Sequence, residues 1–176
     1  MPEDWANADG KIVFKTDSGR SAHGPTAMVF SPNMEILANA WGRQVDLWDV
    51  RSRTLLGSIG QGTPLQSTLA FSPDGETLAT VPINGDTIML WDPKTRKLRA
   101  TLIGHSGWIQ DVAFTPDSKS LASASDDLIV RLWDVGTGKC YAVFEGHSGW
   151  VSTVTFSPNG GTLVSGSNDK TIRFRK

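Results

Sequence analysis

The sequence predicts an all-β protein built from four copies of one unit. A phrase of Phe, then Ser or Thr, then Pro, then Asn or Asp begins at Phe30, Phe71, Phe114 and Phe156 and so returns every 41 to 43 residues. In three of the units a Trp-Asp pair follows 18 to 20 residues later. A period of about 42 residues with this ending is the sequence signature of a β-propeller, in which each unit is one blade.

Each unit divides into four short strands separated by turn residues. In the third unit the strands are predicted at 108–114, 121–124, 129–133 and 140–144, with turns at 116–118, 125–127 and 136–138. The turns contain Pro, Asp, Ser and Gly, which favour the backbone angles of tight turns. No segment has apolar residues at helical spacing over three turns, so almost no helix is expected.

The unit boundaries predict a single domain over residues 1–176. Repeat 1 covers about 24–60, repeat 2 about 62–103, repeat 3 about 104–145 and repeat 4 about 146–176. Repeat 4 lacks its outer strand, whereas a segment at about 11–16 resembles an outer strand that precedes repeat 1. Because an unpaired outer edge invites aggregation, pairing of this first strand with the last blade would be useful. The period does not decide between a closed ring of four blades, an eight-bladed ring of two copies and an open arc.

Composition argues against several classes of function. The 17 basic and 18 acidic residues give a net charge near −1, so no basic face for nucleic acid or for an acidic membrane is indicated. The apolar runs have the length of strands, and the start of the chain does not resemble a signal peptide. The single Cys140 suits a reducing compartment, which predicts the cytoplasm, with the nucleus as the alternative. The three histidines lie in separate repeats and no Gly-rich phosphate loop occurs, so neither a metal nor another cofactor is expected.

These motifs resemble those of the WD40 repeat family of β-propellers. The resemblance is based on Gly-His at 104–105 and 146–147, the Phe-Ser-Pro-Asp phrase, a Ser-x-Ser-x-Asp pattern and Trp-Asp at 48–49, 91–92 and 133–134. It covers nearly the whole chain and implies blades of four antiparallel strands.

The resemblance also implies a structural hydrogen-bonded tetrad in each regular repeat. In repeat 3 the Trp133 indole would donate to Ser125, Ser125 would contact His105, and His105 would contact Asp127. In repeat 4 the corresponding residues are His147, Ser167 and Asp169, but Arg175 stands where Trp is expected. His, Ser and Asp are also the residue types of a hydrolase triad. A catalytic triad has no reason to recur every 42 residues, so the structural interpretation is favoured and no enzyme is predicted.

In such propellers partners generally bind the face formed by the loops before the first strands and the bends between second and third strands. Trp41, Trp108 and Trp150 are needed for no tetrad, and a cluster of aromatic residues with polar neighbours resembles an interface hot spot. The alternative is that each indole lies flat on its own blade and only covers the edge of the core. The family pattern places these predicted partner-binding residues on that face: Trp41, Leu65, Ser67, Asn84, Trp108, Gln110, Asp126, Trp150, Ser152 and Asn168.

The sequence therefore predicts a non-catalytic scaffold that binds a protein or peptide, without nucleic acid or membrane. Self-association into a dimer is one of its alternatives. Two narrower roles stay open at this point. The repeated Gly-His-Ser-Gly-Trp resembles the sensor arrays of NACHT-type signalling ATPases, and the run at 48–51 matches the Trp-Asp-x-Arg pattern of substrate receptors in cullin-type ubiquitin ligases.

Overall fold

The computed structural model describes residues 25–41, 43–60 and 66–176, without the side chains of residues 66 and 67. The outer strand predicted at about 11–16 lies outside this part of the chain. The described strands are β1 (Ala27–Phe30), β2 (Ile36–Trp41), β3 (Gln44–Asp49), β4 (Leu55–Ile59), β5 (Gln66–Phe71), β6 (Leu78–Pro82), β7 (Thr87–Trp91), β8 (Leu98–Ile103), β9 (Ile109–Phe114), β10 (Ser120–Ser125), β11 (Val130–Asp134), β12 (Cys140–Phe144), β13 (Val151–Phe156), β14 (Leu163–Ser167) and β15 (Ile172–Arg175).

The strands form four antiparallel sheets, each made of strands that follow one another in the chain. The first three sheets have the orders β1-β2-β3-β4, β5-β6-β7-β8 and β9-β10-β11-β12, and the fourth has β13-β14-β15. We call them blades one to four. The predicted all-β fold of WD40 type, built from blades of antiparallel strands, is confirmed. No described residue lies in a helix, and within these ranges no helix is long and apolar enough to cross a membrane.

The recurring phrase is the turn that joins the first strand of each blade to the second. Its hydroxyl residue donates to the Asx side chain two positions later, over 2.5 to 2.7 Å in all four copies. The residue after each phrase has a positive φ of 60° to 73°. Glycine, which adopts this conformation without steric cost, occupies two of the four positions, Gly75 and Gly160. The phrase therefore recurs because the same turn is built four times.

The aspartate of each Trp-Asp pair shapes the turn between the third and fourth strands. Asp49, Asp92 and Asp134 each accept a backbone N–H from the residue three positions later, at 2.6 to 2.9 Å. The Thr95 N–H and the Arg99 guanidinium together lower the pKa of Asp92 to about 2. These carboxylates therefore stay charged and hold their turns at neutral pH.

Consecutive blades pack face to face in chain order, with the first strands β1, β5, β9 and β13 adjacent to one another. In blades one to three, apolar residues of the third strand pack against the next blade. Val45, Ile88 and Val130 occupy the same position in blades one, two and three, and each is at most 1% exposed. The sheets thus depend on one another for burial of their faces.

A polar contact also joins blades three and four at their first strands. The Asp111 carboxylate accepts the Thr153 hydroxyl at 2.9 Å and the Val154 backbone N–H at 3.0 Å. Both donors come from β13 and bind the same oxygen, so this carboxylate ties the two first strands together at this point.

The two ends of this stack expose faces that the inner blades bury. Ile172 in blade four is the counterpart of Val130 but is 67% exposed, and Phe174 beside it is 72% exposed. At the other end Met28 of blade one is 62% exposed, although its counterparts Val112 and Val154 are buried. Blade four therefore presents the surface on which each earlier blade receives its successor.

Alanine substitutions at the equivalent residues Val130 and Ile172 test whether the exposed face of blade four is uncovered in solution. Val130→Ala should lower the free energy of unfolding by about 2 kcal/mol, because it removes buried methyl groups and leaves a cavity. Ile172→Ala should change it by less than about 0.5 kcal/mol, as is usual for exposed sites. Both values can be measured by urea unfolding followed by far-ultraviolet circular dichroism. Equal costs would show that Ile172 is covered, by a second copy or by another part of the chain.

Candidate partner-binding site

A buried chain of four side chains organises the top of blade three. The Trp133 indole donates to the Ser123 hydroxyl at 2.8 Å, and Ser123 lies 2.7 Å from Nε2 of His105. Nδ1 of His105 lies 2.8 Å from the Asp127 carboxylate. A neutral imidazole protonated on Nδ1 satisfies the hydrogen-bonding groups of all four side chains, because it accepts from Ser123 and donates to Asp127.

The serine of the tetrad is Ser123, so the prediction of Ser125 for this position was wrong. Leu121 pairs with Trp133 across the sheet, which makes Ser123 the diagonal neighbour of the indole on the same face. Ser125 lies two residues further along the strand, beyond the reach of the indole. In blade four Ser165, and not Ser167, contacts Nε2 of His147, at 2.9 Å.

Ser125 and Ser167 instead anchor the loops that precede the first strands. Ser125 donates to the Gly107 carbonyl at 3.0 Å and accepts the Asp127 N–H at 3.2 Å. Ser167 makes the same pair of contacts with Gly149 and Asp169 in blade four. Each loop is therefore tied to the bend between the second and third strands of its own blade.

Glycine is required where loop and bend meet. A Cβ on Gly107 would lie 2.6 Å from the Asp127 backbone nitrogen, and one on Gly149 would lie 2.7 Å from that of Asp169. Ser106 adds a second tie, because its N–H donates to the Asp127 carboxylate at 3.0 Å. The position of the next residue in the loop, Trp108, is thus set by backbone contacts.

The tetrad is arranged to stay uncharged at histidine and charged at aspartate. Burial lowers the pKa of His105, although the hydrogen bond to Asp127 and its charge act in the opposite direction. Burial alone would raise the pKa of Asp127, but the hydrogen bonds from His105 and from Ser106 outweigh it and keep this pKa below its usual value. The Ser123 side chain is fully buried and already contacts the indole. It is therefore poorly placed to act as a nucleophile.

Arg175 takes the place of the tryptophan in blade four and turns to other partners. Its guanidinium donates to the Glu145 carbonyl at 2.8 Å and lies 4.8 Å from the centre of the Phe144 ring. Nε of Arg175 is buried and has no hydrogen-bond partner among the described residues. His147 keeps its contacts with Ser165 and with Asp169. Blade four thus retains three members of the tetrad without an indole.

Blade two keeps the indole contact without the histidine. The Trp91 indole donates to the Thr80 hydroxyl at 3.0 Å. Thr80 stands diagonally across from Trp91, as Ser123 does from Trp133, because Leu78 is the residue paired with Trp91. Blades two and three therefore share one feature. In each, a hydroxyl residue lies two positions after the residue that pairs with the tryptophan across the sheet.

An open cleft of about 480 Å³ lies on the face that carries these loops and bends. It spans three blades. Two of its residues are the half-exposed tryptophans Trp108 and Trp150, which are 50% and 55% exposed. The described residues that line it are Asn84, Asp86, Ser106, Gly107, Trp108, Asp126 and Trp150.

Backbone hydrogen bonds hold the cleft residues in place. The Trp108 carbonyl accepts the Asp126 N–H at 2.9 Å, within blade three. The Ile109 N–H donates to the Gly85 carbonyl at 2.8 Å, which ties the bend of blade two to the loop that carries Trp108. Asn84, in this bend, has a positive φ of 56°. The walls of the cleft are thus built on connected strand ends.

The structure brings four of the predicted partner-binding residues to this cleft, namely Asn84, Trp108, Asp126 and Trp150. Gln110 lies next to it and donates to Asp126 at 2.8 Å. Ser152, Asn168 and Trp41 do not line it. Ser152 is exposed and donates to the Gly166 carbonyl at 3.3 Å, Asn168 is exposed with its N–H on the Trp150 carbonyl, and Trp41 is half-buried. Leu65 and the side chain of Ser67 lie outside the described residues.

Sequence reasoning missed Asp86, Ser106 and Gly107 as cleft residues, and Ser123 and Ser165 as tetrad members. Strand register could have identified the two serines, because it places the hydroxyl diagonal to the tryptophan. Asp86 had no comparable signal, because repeat 2 departs from the regular pattern around its bend. Among the described residues no group of three or more His, Cys, Asp or Glu side chains could hold a metal ion.

Comparison with known families identifies two repeats in the second half of the chain. The family described as WD domain, G-beta repeat (WD40) matches residues 96–134 and 138–175. Each match joins the outer strand of one blade to the three inner strands of the next. Residues 96–134 and 138–175 are therefore two WD40 repeats, and repeats of this family generally mediate protein–protein interaction. No curated protein matches it significantly.

Removing the central hydroxyl tests the corrected assignment of the tetrad. Ser123→Ala should lower the free energy of unfolding by about 1–3 kcal/mol, because it leaves the Trp133 indole and Nε2 of His105 buried without a partner. Ser165→Ala should cost less, because only His147 loses a partner in blade four. Urea unfolding of both variants measures the difference. A larger cost for Ser125→Ala than for Ser123→Ala would contradict the assignment.

Acidification should destabilise the protein through His105. Since burial lowers the pKa of this residue in the folded state, the unfolded chain takes up a proton near pH 6.5 that the folded chain does not. Stability should therefore fall as the pH drops from about 6.5 towards the lower folded-state pKa. In His105→Gln the decrease in melting temperature between pH 7.5 and pH 5, roughly, should be smaller. An unchanged decrease would show that His105 does not couple protonation to folding.

Proposed function

We propose that this protein is a non-catalytic scaffold that binds a protein or peptide in the cleft between blades two, three and four. One observation carries the proposal, namely that Trp108 and Trp150 are both half-exposed and line the same cleft. Large aromatic side chains at such sites supply much of the binding energy of protein interfaces. Neither indole belongs to a tetrad, so both are free to contact a partner.

The frame around the cleft supports this role. The loop that carries Trp108 is tied to its own blade by Ser125 and Asp127, and to blade two through the Gly85 carbonyl. A site built on fixed backbone binds with little loss of conformational freedom. His105 and Ser123 are buried below the loop and do not line the cleft, which supports a binding role for the site and a structural one for the tetrad.

Alanine substitution of the two tryptophans tests the proposal. Peptides selected against the wild-type protein from a displayed random library should bind the Trp108→Ala/Trp150→Ala variant at least about 30-fold more weakly, corresponding to about 2 kcal/mol or more of lost contact. Fluorescence anisotropy with labelled peptides measures the affinities.

Tyr141→Ala is the matched control, because Tyr141 is 56% exposed but lies on the outer strand of blade three, away from the cleft. It should leave the affinities unchanged. Circular dichroism and melting establish that the double variant is folded. If the selected peptides bind the double variant as tightly as the wild type, the cleft is not the binding site.

A further inference from the structure

We propose that the cleft accepts a cationic side chain, an arginine or a lysine, from the partner. This inference rests on the proposed function and names the chemistry of its ligand. Two aspartates, Asp86 and Asp126, share the cleft with the two half-exposed indoles of Trp108 and Trp150. Carboxylates beside aromatic faces attract a cation in two ways, through opposite charge and through the ring quadrupole.

The two carboxylates are not neutralised by the described part of the chain. Among the described residues no Lys or Arg lines the cleft, and the ion pairs found there do not include Asp86 or Asp126. Gln110 donates to one oxygen of Asp126 and thereby orients it, while the other oxygen accepts no hydrogen bond from described residues. Asp86 is exposed and likewise accepts none there. Both therefore keep acceptor capacity for a ligand.

A cation fits this cleft better than the other side-chain classes. An acidic side chain would be repelled by Asp86 and Asp126. An apolar one would cover the indoles but would also shield the carboxylates from water without replacing their hydrogen bonds, which is unfavourable. The guanidinium of arginine carries five N–H donors and the ammonium of lysine three, so either can satisfy carboxylate oxygens while its alkyl stem covers an indole.

Neighbouring polar groups add to the recognition of such a donor-rich head. The Asn84 and Ser106 side chains are exposed at the edge of the same cleft, and both contain an oxygen that can accept a hydrogen bond. Asn84 belongs to the bend of blade two, opposite the loop of blade three that carries Ser106 and Trp108. A cationic side chain between them would therefore contact groups on two blades.

The test uses short probe peptides on the full chain and does not require the natural partner. The probes are Ac-Gly-Gly-X-Gly-Gly-NH2 with X as arginine, lysine or citrulline, and citrulline is a neutral isostere of arginine. Nuclear magnetic resonance of the indole N–H groups, assigned with Trp108→Ala and Trp150→Ala, reports binding up to about 10 mM peptide. The arginine or lysine probe should shift both resonances, and the citrulline probe should not.

The second part of the test removes the charges of the two aspartates. Asp86→Asn/Asp126→Asn should weaken the binding of the cationic probe by about tenfold, as expected for loss of two partly exposed charge contacts. Asp117→Asn is the control and should have no effect. Asp117 lies in the turn between the first and second strands of blade three, at the end of that blade opposite Asp126. Raising the salt concentration should weaken binding of the cationic probe as well.

The outcomes separate this inference from the proposed function. Equal shifts with citrulline, absence of shifts with both cationic probes, or full binding by the double Asp→Asn variant would each overturn the cation inference. If library-selected peptides still depended on Trp108 and Trp150 in any of these cases, the proposed binding function would stand. If selected peptides ignored both tryptophans, the proposed function itself would be wrong.

Discussion

The buried hydrogen-bond chain from Trp133 through Ser123 and His105 to Asp127 is the interaction on which the rest of the site depends. It joins the third strand, the second strand, the loop before the first strand and the bend of one blade, so none of these can shift alone. Asp127 is its key member, because the same carboxylate also receives the Ser106 N–H. The loop that carries Trp108 is consequently held by the interior of the blade.

Packing between blades supplies the second constraint. Removing Val45, Ile88 and Val130 of the third strands from water is favourable, and each of the first three blades buries this face against its neighbour. The cleft exists because this stacking brings the bend of blade two, the loop of blade three and Trp150 of blade four to one side. Blade four exposes the equivalent face through Ile172 and Phe174. The same pattern of apolar residues thus forms the core between the first blades and leaves an apolar face exposed on blade four.

Much of the fold could be predicted from the sequence because the same local chemistry recurs. The phrase at Phe114 marks a turn in which the Thr115 hydroxyl and the Asp117 carboxylate satisfy neighbouring backbone groups, and these residue types act over only a few positions. The tetrad was predicted only in part. The pattern of alternating serines contains two hydroxyls on one face of the strand, and which of them meets Trp133 depends on the pairing of Leu121 with that residue across the sheet.

The sequence by itself determined the repeat length, the all-β class, the turns and the identity of Trp108 and Trp150 as tryptophans outside the tetrad. These follow from local residue chemistry and from spacing along the chain. Only the tertiary structure decided that Ser123 completes the tetrad, that Ser125 anchors the loop, and that Asp86 joins the two tryptophans in one cleft. These facts depend on strand register and on contacts between blades about 40 residues apart in the chain, distances that a local pattern does not encode.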